Sequence, residues 1–406
     1  MKKMLSILFI LIPFLANAQV WQTERNWTQL DLDNFSKWVA SPDYNPLIFT
    51  KDGPYGGIKT DCADAIVAAK VIFSFENKLN FKIKTSSYNS DFISQETTKF
   101  DHIDDQIERV RSFIHYLGSS IGTEALARFN SYPIHPKDIR PSDFYVSRWK
   151  TNGNFVRHAY MIKDLLPTGH LVLYSSTTPV KERELDVREG MPLHVLKDAP
   201  WGFKRFLPLE INYETPKDMS NYQYQILENS GEDFFFSRIV DEIKIEEDTL
   251  DQNLKRRVKN LCSQLQLRKR EVLSTQEYLR STSNRCMNYS LYDEHSTPSR
   301  DNSLQNGIKR LLYGWKKIRR SEHVSDVSTE LSLGLDFILR KNKTPEAELA
   351  LNSLCSINLQ LKGEFVTFNL KNFFDLKREG RISFHPNDSY ERRWGLSGQT
   401  THCSAY

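Results

Sequence analysis

Cys62 is the residue best placed for covalent chemistry. It stands in the run Thr60-Asp61-Cys62-Ala63-Asp64, and a mostly apolar stretch of Ala, Ile, Val and Phe extends beyond it over 65–75. That pattern predicts a largely buried helix with the cysteine in its first turn, Thr60 or Asp61 as cap and Asp64 as a partner of the helix dipole. A thiol at a helix N-terminus feels the positive end of the dipole, which favours the thiolate. A neighbouring imidazole can take the proton, and a third polar group usually orients the ring. The candidate is His158, 96 residues further on in the segment His158-Ala159-Tyr160-Met161-Ile162. Backbone N–H groups at the helix start, that of Cys62 included, would face a developing oxyanion. Such a set attacks a carbonyl and passes through a thioester.

Each of these residues also has a plainer reading. Cys62 suits a core position on an apolar helix, and His158 suits a half-buried place in a sheet. Asp61 and Asp64 are most simply a cap and a dipole partner, with substrate binding as the alternative. Tyr55, Gly56 and Gly57 are most simply a turn, but they shortly precede the cysteine and would line a substrate cleft if that turn faces it. The ten histidines are scattered, with no H-E-x-x-H and no C-x-x-C pair, so no metal site and no cofactor is expected. Phosphate-loop and G-x-S-x-G signatures are absent from the sequence as well.

Periodicity indicates the scaffold around these residues. The N-terminal aromatics Trp21, Trp27, Phe35, Trp38 and Tyr44 predict a short helix over 30–39 packed against the next domain. Residues 79–83 read as a short extended segment. Ile103, Ile107, Val110, Ile114, Leu117 and Ile121 recur at helical spacing and predict one scaffold helix over 101–129 with no functional role. The period then changes to two, with strands expected over 144–149, 155–163, 170–175 and 203–207, separated by turns at Asn152-Gly153 and Pro167-Thr168-Gly169. Helices first and an antiparallel sheet after them predict an α+β domain. Beyond Ser237 the chain turns helical and charged, with helices through Leu250–Leu265, Leu304–Ile318 and 324–339. A polar loop is expected over 281–302, and a strand or two within 365–384. The divisions expected are 1–18, 19–237 and a mainly helical 238–406.

The segment Asp61-Cys62-Ala63-Asp64 with its apolar helix resembles the nucleophile helix of transglutaminase-like and other papain-like cysteine hydrolases, where the cysteine often stands in a D-C-x-D run. His158-Ala159-Tyr160-Met161-Ile162 is similar to that group's H-A-W-V-E strand. Leu171-Val172-Leu173-Tyr174-Ser175-Ser176-Thr177 takes the place of its W-V-x-L-D-P-T strand. The resemblance covers about 45–210. It implies a papain-like domain with the nucleophile helix packed on an antiparallel sheet, Cys62 as nucleophile and His158 as base and then acid. The acyl donors it implies are peptide or isopeptide amides, with water or an amine as acceptor. The group's third residue is usually Asp, and the matching position here is Ser175, which can accept from an imidazole N–H but brings no charge. His170, at the start of the same expected strand, competes for that role, because papain-like cell-wall endopeptidases often use a second histidine there.

Composition sets the frame. The 406 residues are 39% hydrophobic and 26% charged, an ordinary globular balance. Lys2 and Lys3, an apolar run over 5–15 and Ala16-Asn17-Ala18 predict a signal peptide over 1–18 and a mature chain beginning at Gln19. A secreted or periplasmic protein is therefore expected, with no integral membrane segment once the signal is removed. The formal charge of +4 gives no argument for nucleic acid as a partner. In an oxidising compartment Cys262, Cys286, Cys355 and Cys403 would form two disulfides in one of three connectivities, leaving Cys62 as the odd thiol. Basic clusters at Lys255-Arg256-Arg257, Arg268-Lys269-Arg270 and Lys316 to Arg320 are most simply solvated helix faces. The expected function is an exported cysteine hydrolase or acyltransferase acting on peptides, cell-wall peptides among them. The rival is a catalytically inactive papain-like scaffold whose helical half binds a partner.

Overall fold

The computed structural model describes residues 19–85, 92–151, 154–211, 216–361 and 363–406. The expected signal peptide and the Asn152-Gly153 turn lie outside them. In chain order the first elements are α1 (Gln29–Ala40), α2 (Cys62–Glu76), β1 (Lys82–Lys84), β2 (Phe92–Ser94), α3 (Gln106–Gly118) and α4 (Thr123–Phe129). After them come β3 (Ser131–Pro133), β4 (Phe144–Thr151), β5 (Asn154–Leu165), β6 (Leu171–Ser175), β7 (Asp186–Gly190) and β8 (Gly202–Phe206). Strands β3 to β8 form one six-stranded antiparallel sheet in the order β3-β8-β4-β5-β6-β7, so the fold class is α+β as the periodicity predicts.

Helix α2 packs on β5, with α1 and α3 beside it. Every residue from Cys62 to Ser74 is buried, which explains the apolar run. Lys70, the charge that interrupts it, is buried too and pairs with Glu210 at 2.8 Å. The aromatic N-terminus belongs to the same core. Trp21 donates from Nε1 to the Leu79 carbonyl at 2.8 Å, and Phe35 meets Phe73 of α2 at 5.2 Å between ring centres.

The single helix expected over 101–129 is two. Helix α3 ends at Gly118, whose backbone passes tightly over the first turn of α2: a Cβ at Gly118 would sit 2.8 Å from the Asp64 carboxylate. Ser119 to Gly122 then turn the chain into α4.

Helix α5 (Tyr222–Ile243), kinked at Gly231, still packs on the sheet core through Ile226, Phe235 and Ile239; a second core begins with α6 (Leu250–Ser281), followed by α7 (Tyr289–His295), α8 (Pro298–Ile318), α9 (Thr329–Ile338) and α10 (Pro345–Leu354). A hairpin of β9 (Ser356–Leu361) and β10 (Glu364–Asn369) precedes α11 (Leu370–Arg378) and α12 (Tyr390–Arg393). The polar loop expected over 281–302 therefore holds α7 and the start of α8. The 365–384 segment is a strand that runs into a helix. Leu254, Val258, Leu261 and Leu265 of α6 pack with Leu304, Ile308, Leu311 and Trp315 of α8 in this second core, separate from that under the sheet. Two disulfides, Cys262–Cys355 and Cys286–Cys403, tie α6 to the end of α10 and the α6–α7 loop to the C-terminal tail.

Helix α6 also lies along the outer strand of the sheet. The Asn260 amide accepts from the Glu189 N–H at 2.9 Å and donates to the Glu189 carbonyl at 2.5 Å. It thus pairs the edge of β7 as a neighbouring strand would. Around this contact Lys259 pairs with Glu189, Arg270 with Glu184 at 3.0 Å, and Glu271 with both Lys181 and Arg300.

Candidate active site

Cys62 is the first residue of α2. Asp61 caps the helix, accepting from the N–H groups of Ala63 at 3.0 Å and Asp64 at 3.2 Å, and Asp64 accepts from the Asp61 N–H at 3.0 Å. This reciprocal box accounts for both acids, so neither is free to bind substrate through its capping oxygens. Burial and the neighbouring Asp61 charge raise the Asp64 carboxyl above the ordinary range.

The Cys62 thiol is 4% exposed and lies 3.5 Å from the Thr123 hydroxyl at the start of α4. The stretch read from sequence as bare scaffold thus supplies a hydroxyl in contact with the sulfur. The N–H groups of Ala63 and Ala159 also point at it. Burial first, and the Asp61 charge second, push the thiol up to about 11. This is opposite to the shift expected for a helix N-terminus. The dipole is worth about 0.3–1 kcal/mol, less than one pKa unit at about 1.4 kcal/mol, and burial outweighs it.

His158 lies on β5 directly opposite Ser147 of β4 and immediately before Ala159. Its ring meets Tyr160 edge-on at 4.4 Å and makes no hydrogen bond among the described residues. Burial, then the nearby His194, push it down to about 4. Thiol and imidazole are therefore both neutral at pH 7. The fold brings Cys62 to the backbone of the strand that carries His158, but not into hydrogen bonding with its ring.

His158 faces a cleft of about 280 Å³ between the sheet and the helical half. Tyr160, Ser175, Thr177, Asp186 and Arg188 line it from the sheet. Asn260, Gln264 and Arg300 line it from α6 and α8. The Tyr160 hydroxyl is raised to about 12, chiefly by burial, with Arg188 lowering and Asp186 raising it. The Ser147 hydroxyl is buried without a partner. The Asp186 carboxylate has no ion-pair or hydrogen-bond partner among the described residues, and burial raises it. Ser147 lies outside the cleft lining, whereas Asp186 is half-buried in it and feels the positive charges of Arg300, Arg183 and Arg270.

The other sequence candidates separate. Ser175 shares the cleft with His158 without bonding to it. His170 does not: its ring contacts the Thr168 hydroxyl at 3.2 Å and the Arg256 guanidinium at 3.3 Å, at the far end of β6. Tyr55 is buried and donates to Glu76 at 2.8 Å, at the C-terminal end of α2, about 20 Å along the helix from Cys62. Gly56 packs on the main chain of Thr50 and Lys51, and Gly57 holds φ +87° beside Arg111. This is a structural turn outside the cleft. Tyr160, Thr177, Asp186 and Arg188 were not singled out from sequence. The two-residue steps from His158 to Tyr160 and from Ser175 to Thr177 carried that signal. Arg300 and Asn260 had none, because they reach the cleft from another core. The Cys286–His402–Cys403 group has ligand-like spacing, but its two sulfurs are joined in a disulfide.

No family model matches the chain, and it has no significant match among curated proteins or solved structures.

Proposed function

We propose that this is an exported cysteine-dependent hydrolase or acyltransferase with a papain-like, transglutaminase-like domain, held closed by its own helical half. The main support is the placement of Cys62, first in a capped helix, against the Ala159 N–H of the strand that presents His158. In the working state the Cys62 sulfur attacks an amide carbonyl. A C–S bond forms, the thiol proton passes to His158, and the C–N bond breaks as His158 returns that proton to the leaving amine. Water or a second amine then cleaves the thioester with His158 as base. The Ala63 and Ala159 N–H groups supply donors for the oxyanion. Ser175, and Ser147 across the ladder, are the polar groups nearest in register to orient the ring. The cleft offers Asp186 to an amino group and Arg188 to a carboxylate, which suits a short zwitterionic peptide such as a cell-wall fragment.

With a thiol near 11 and an imidazole near 4, proton transfer between them is steeply uphill in the closed arrangement. Both shifts come chiefly from burial; Asn260, Gln264 and Arg300 line the cleft that His158 faces, and Cys62 is not among its lining residues. Activity therefore requires the cleft to open or fill. The two disulfides agree with an exported protein. No described helix is long and apolar enough to cross a membrane.

The second reading is a non-catalytic binding module that uses the same cleft. It is favoured by the missing Cys62–His158 hydrogen bond and by the lack of an acid beside the ring. The two readings are separated by incubating the mature protein with peptide and cell-wall-peptide amides and searching Cys62 by intact mass for an acyl adduct. A substrate-derived adduct absent from Cys62→Ala supports the enzyme. Retention of a peptide without any adduct or turnover supports the binding module.

A further inference from the structure

We infer that the helical half carries a binding site for a phosphate-bearing chain, in the basic groove formed by α8 with Arg257 of α6, the end of α9 and α11. The groove has a volume of about 860 Å³ and no carboxylate among its lining residues. Arg257, Lys309, Arg310, Lys316 and Lys317 all line it, and none has an ion-pair or hydrogen-bond partner among the described residues. Neighbouring cations of the helical half that point away from the groove are paired, Lys255 with Asp251 at 2.7 Å and Arg319 with Asp336 at 2.8 Å. At the groove's other edge Arg340 and Arg378 share the single carboxylate of Asp375 with Lys371. Seven cations thus line one groove in a chain whose formal charge is only +4.

The solvated-face reading expects each cation to have an acid neighbour or open water on all sides. Here the four α8 cations are exposed but line one depression together with Leu312, Ile338 and Phe374. The Arg257 guanidinium lies close against α8, 3.8 Å from where a Cβ at Gly314 would stand. Guanidinium groups favour the paired oxygens of phosphate. The stretch from Lys309 to Lys317 runs about 12 Å along α8, longer than one phosphate occupies. The geometry therefore suits several linked phosphates better than a single ion. The site lies on the helical core, apart from the His158 cleft, and does not depend on the hydrolase reading.

The test is binding of inorganic polyphosphate to the full mature protein, measured at about 50 and 200 mM salt, the range over which counterion release is large. Orthophosphate, polyglutamate and phosphatidylglycerol vesicles serve as comparisons. Polyphosphate should bind, with affinity falling steeply as salt rises. The double variant Arg310→Glu/Lys317→Glu should lose at least about tenfold and flatten the salt slope by about two. Arg310→Gln/Lys317→Gln should fall between it and the native chain. Lys51→Glu/Lys59→Glu, which changes net charge equally, should bind normally. Equal loss in that control would overturn the site. So would orthophosphate or polyglutamate binding as tightly as polyphosphate, or binding to vesicles alone.

Discussion

Cys62 and His158 owe their neutral states to the same cause, burial, but the thiol carries a second influence that can be removed by itself. Asp61 caps α2 with a carboxylate, and that charge is the next largest influence raising the thiol. Asn caps a helix about as well as Asp. Asp61→Asn should therefore leave stability within about 0.5 kcal/mol while lowering the thiol pKa, read as the midpoint of Cys62 alkylation against pH. An unchanged midpoint would show that Asp61 acts only through the helix. At this scale the sequence was half legible. The polar flank and apolar run placed Cys62 at a helix tip, and Asp61 as its cap. They could not show that Thr123 closes over the sulfur, since nothing in the period of 101–129 marks the residue at which one helix becomes two.

Gly118, the last residue of α3, must clear the Asp64 carboxylate. Gly118→Ala would force Asp64 out of its capping box, and overpacking of this kind costs about 1–3 kcal/mol. Chemical denaturation should show that loss, and a neutral result would mean that Asp64 is not held. Elements with a clear apolar run or period were readable from sequence: α1, α2, β4, β5, β6, β8, α6 and α8. Strands β2, β3 and β7 were not. Strand β7 is a charged run, Asp186-Val187-Arg188-Glu189-Gly190, whose acceptance into the sheet depends on Asn260 bonding its edge from a helix 71 residues away. Strand β9 and helix α11 flank β10 so closely that no window there shows one period.

The two cores meet across a charged seam centred on Glu271. Burial works to raise Glu271, but Arg300 and Lys181 hold it down to about 2. Burial pushes Lys181 down as well, so the seam is worth less than the Glu271 shift alone would suggest. A carboxylate whose folded pKa lies below its unfolded value adds stability above about pH 4.5 and loses it as pH falls toward 2. The shift corresponds to at most about 3 kcal/mol. Acid titration should therefore loosen the seam before the disulfide-tied helical core unfolds, and Glu271→Gln should remove that part of the pH dependence. Coincident loss of both cores, unchanged in Glu271→Gln, would contradict this. Arg300 belongs both to the seam and to the cleft that His158 faces, so the proposed function is tested best by perturbing the seam. The decisive quantity is the rate of Cys62 alkylation against pH in the native mature protein, in Asn260→Ala/Glu271→Gln, and in each with His158→Ala. A closed cysteine hydrolase should show slow modification of the native chain with a midpoint far above the free-thiol value of about 8.5. Its seam variant should be modified faster near neutral pH, and that gain should disappear without His158. Modification that stays slow in the seam variant, or that quickens to the same extent without His158, would contradict a closed cysteine hydrolase and leave the cleft as a binding site.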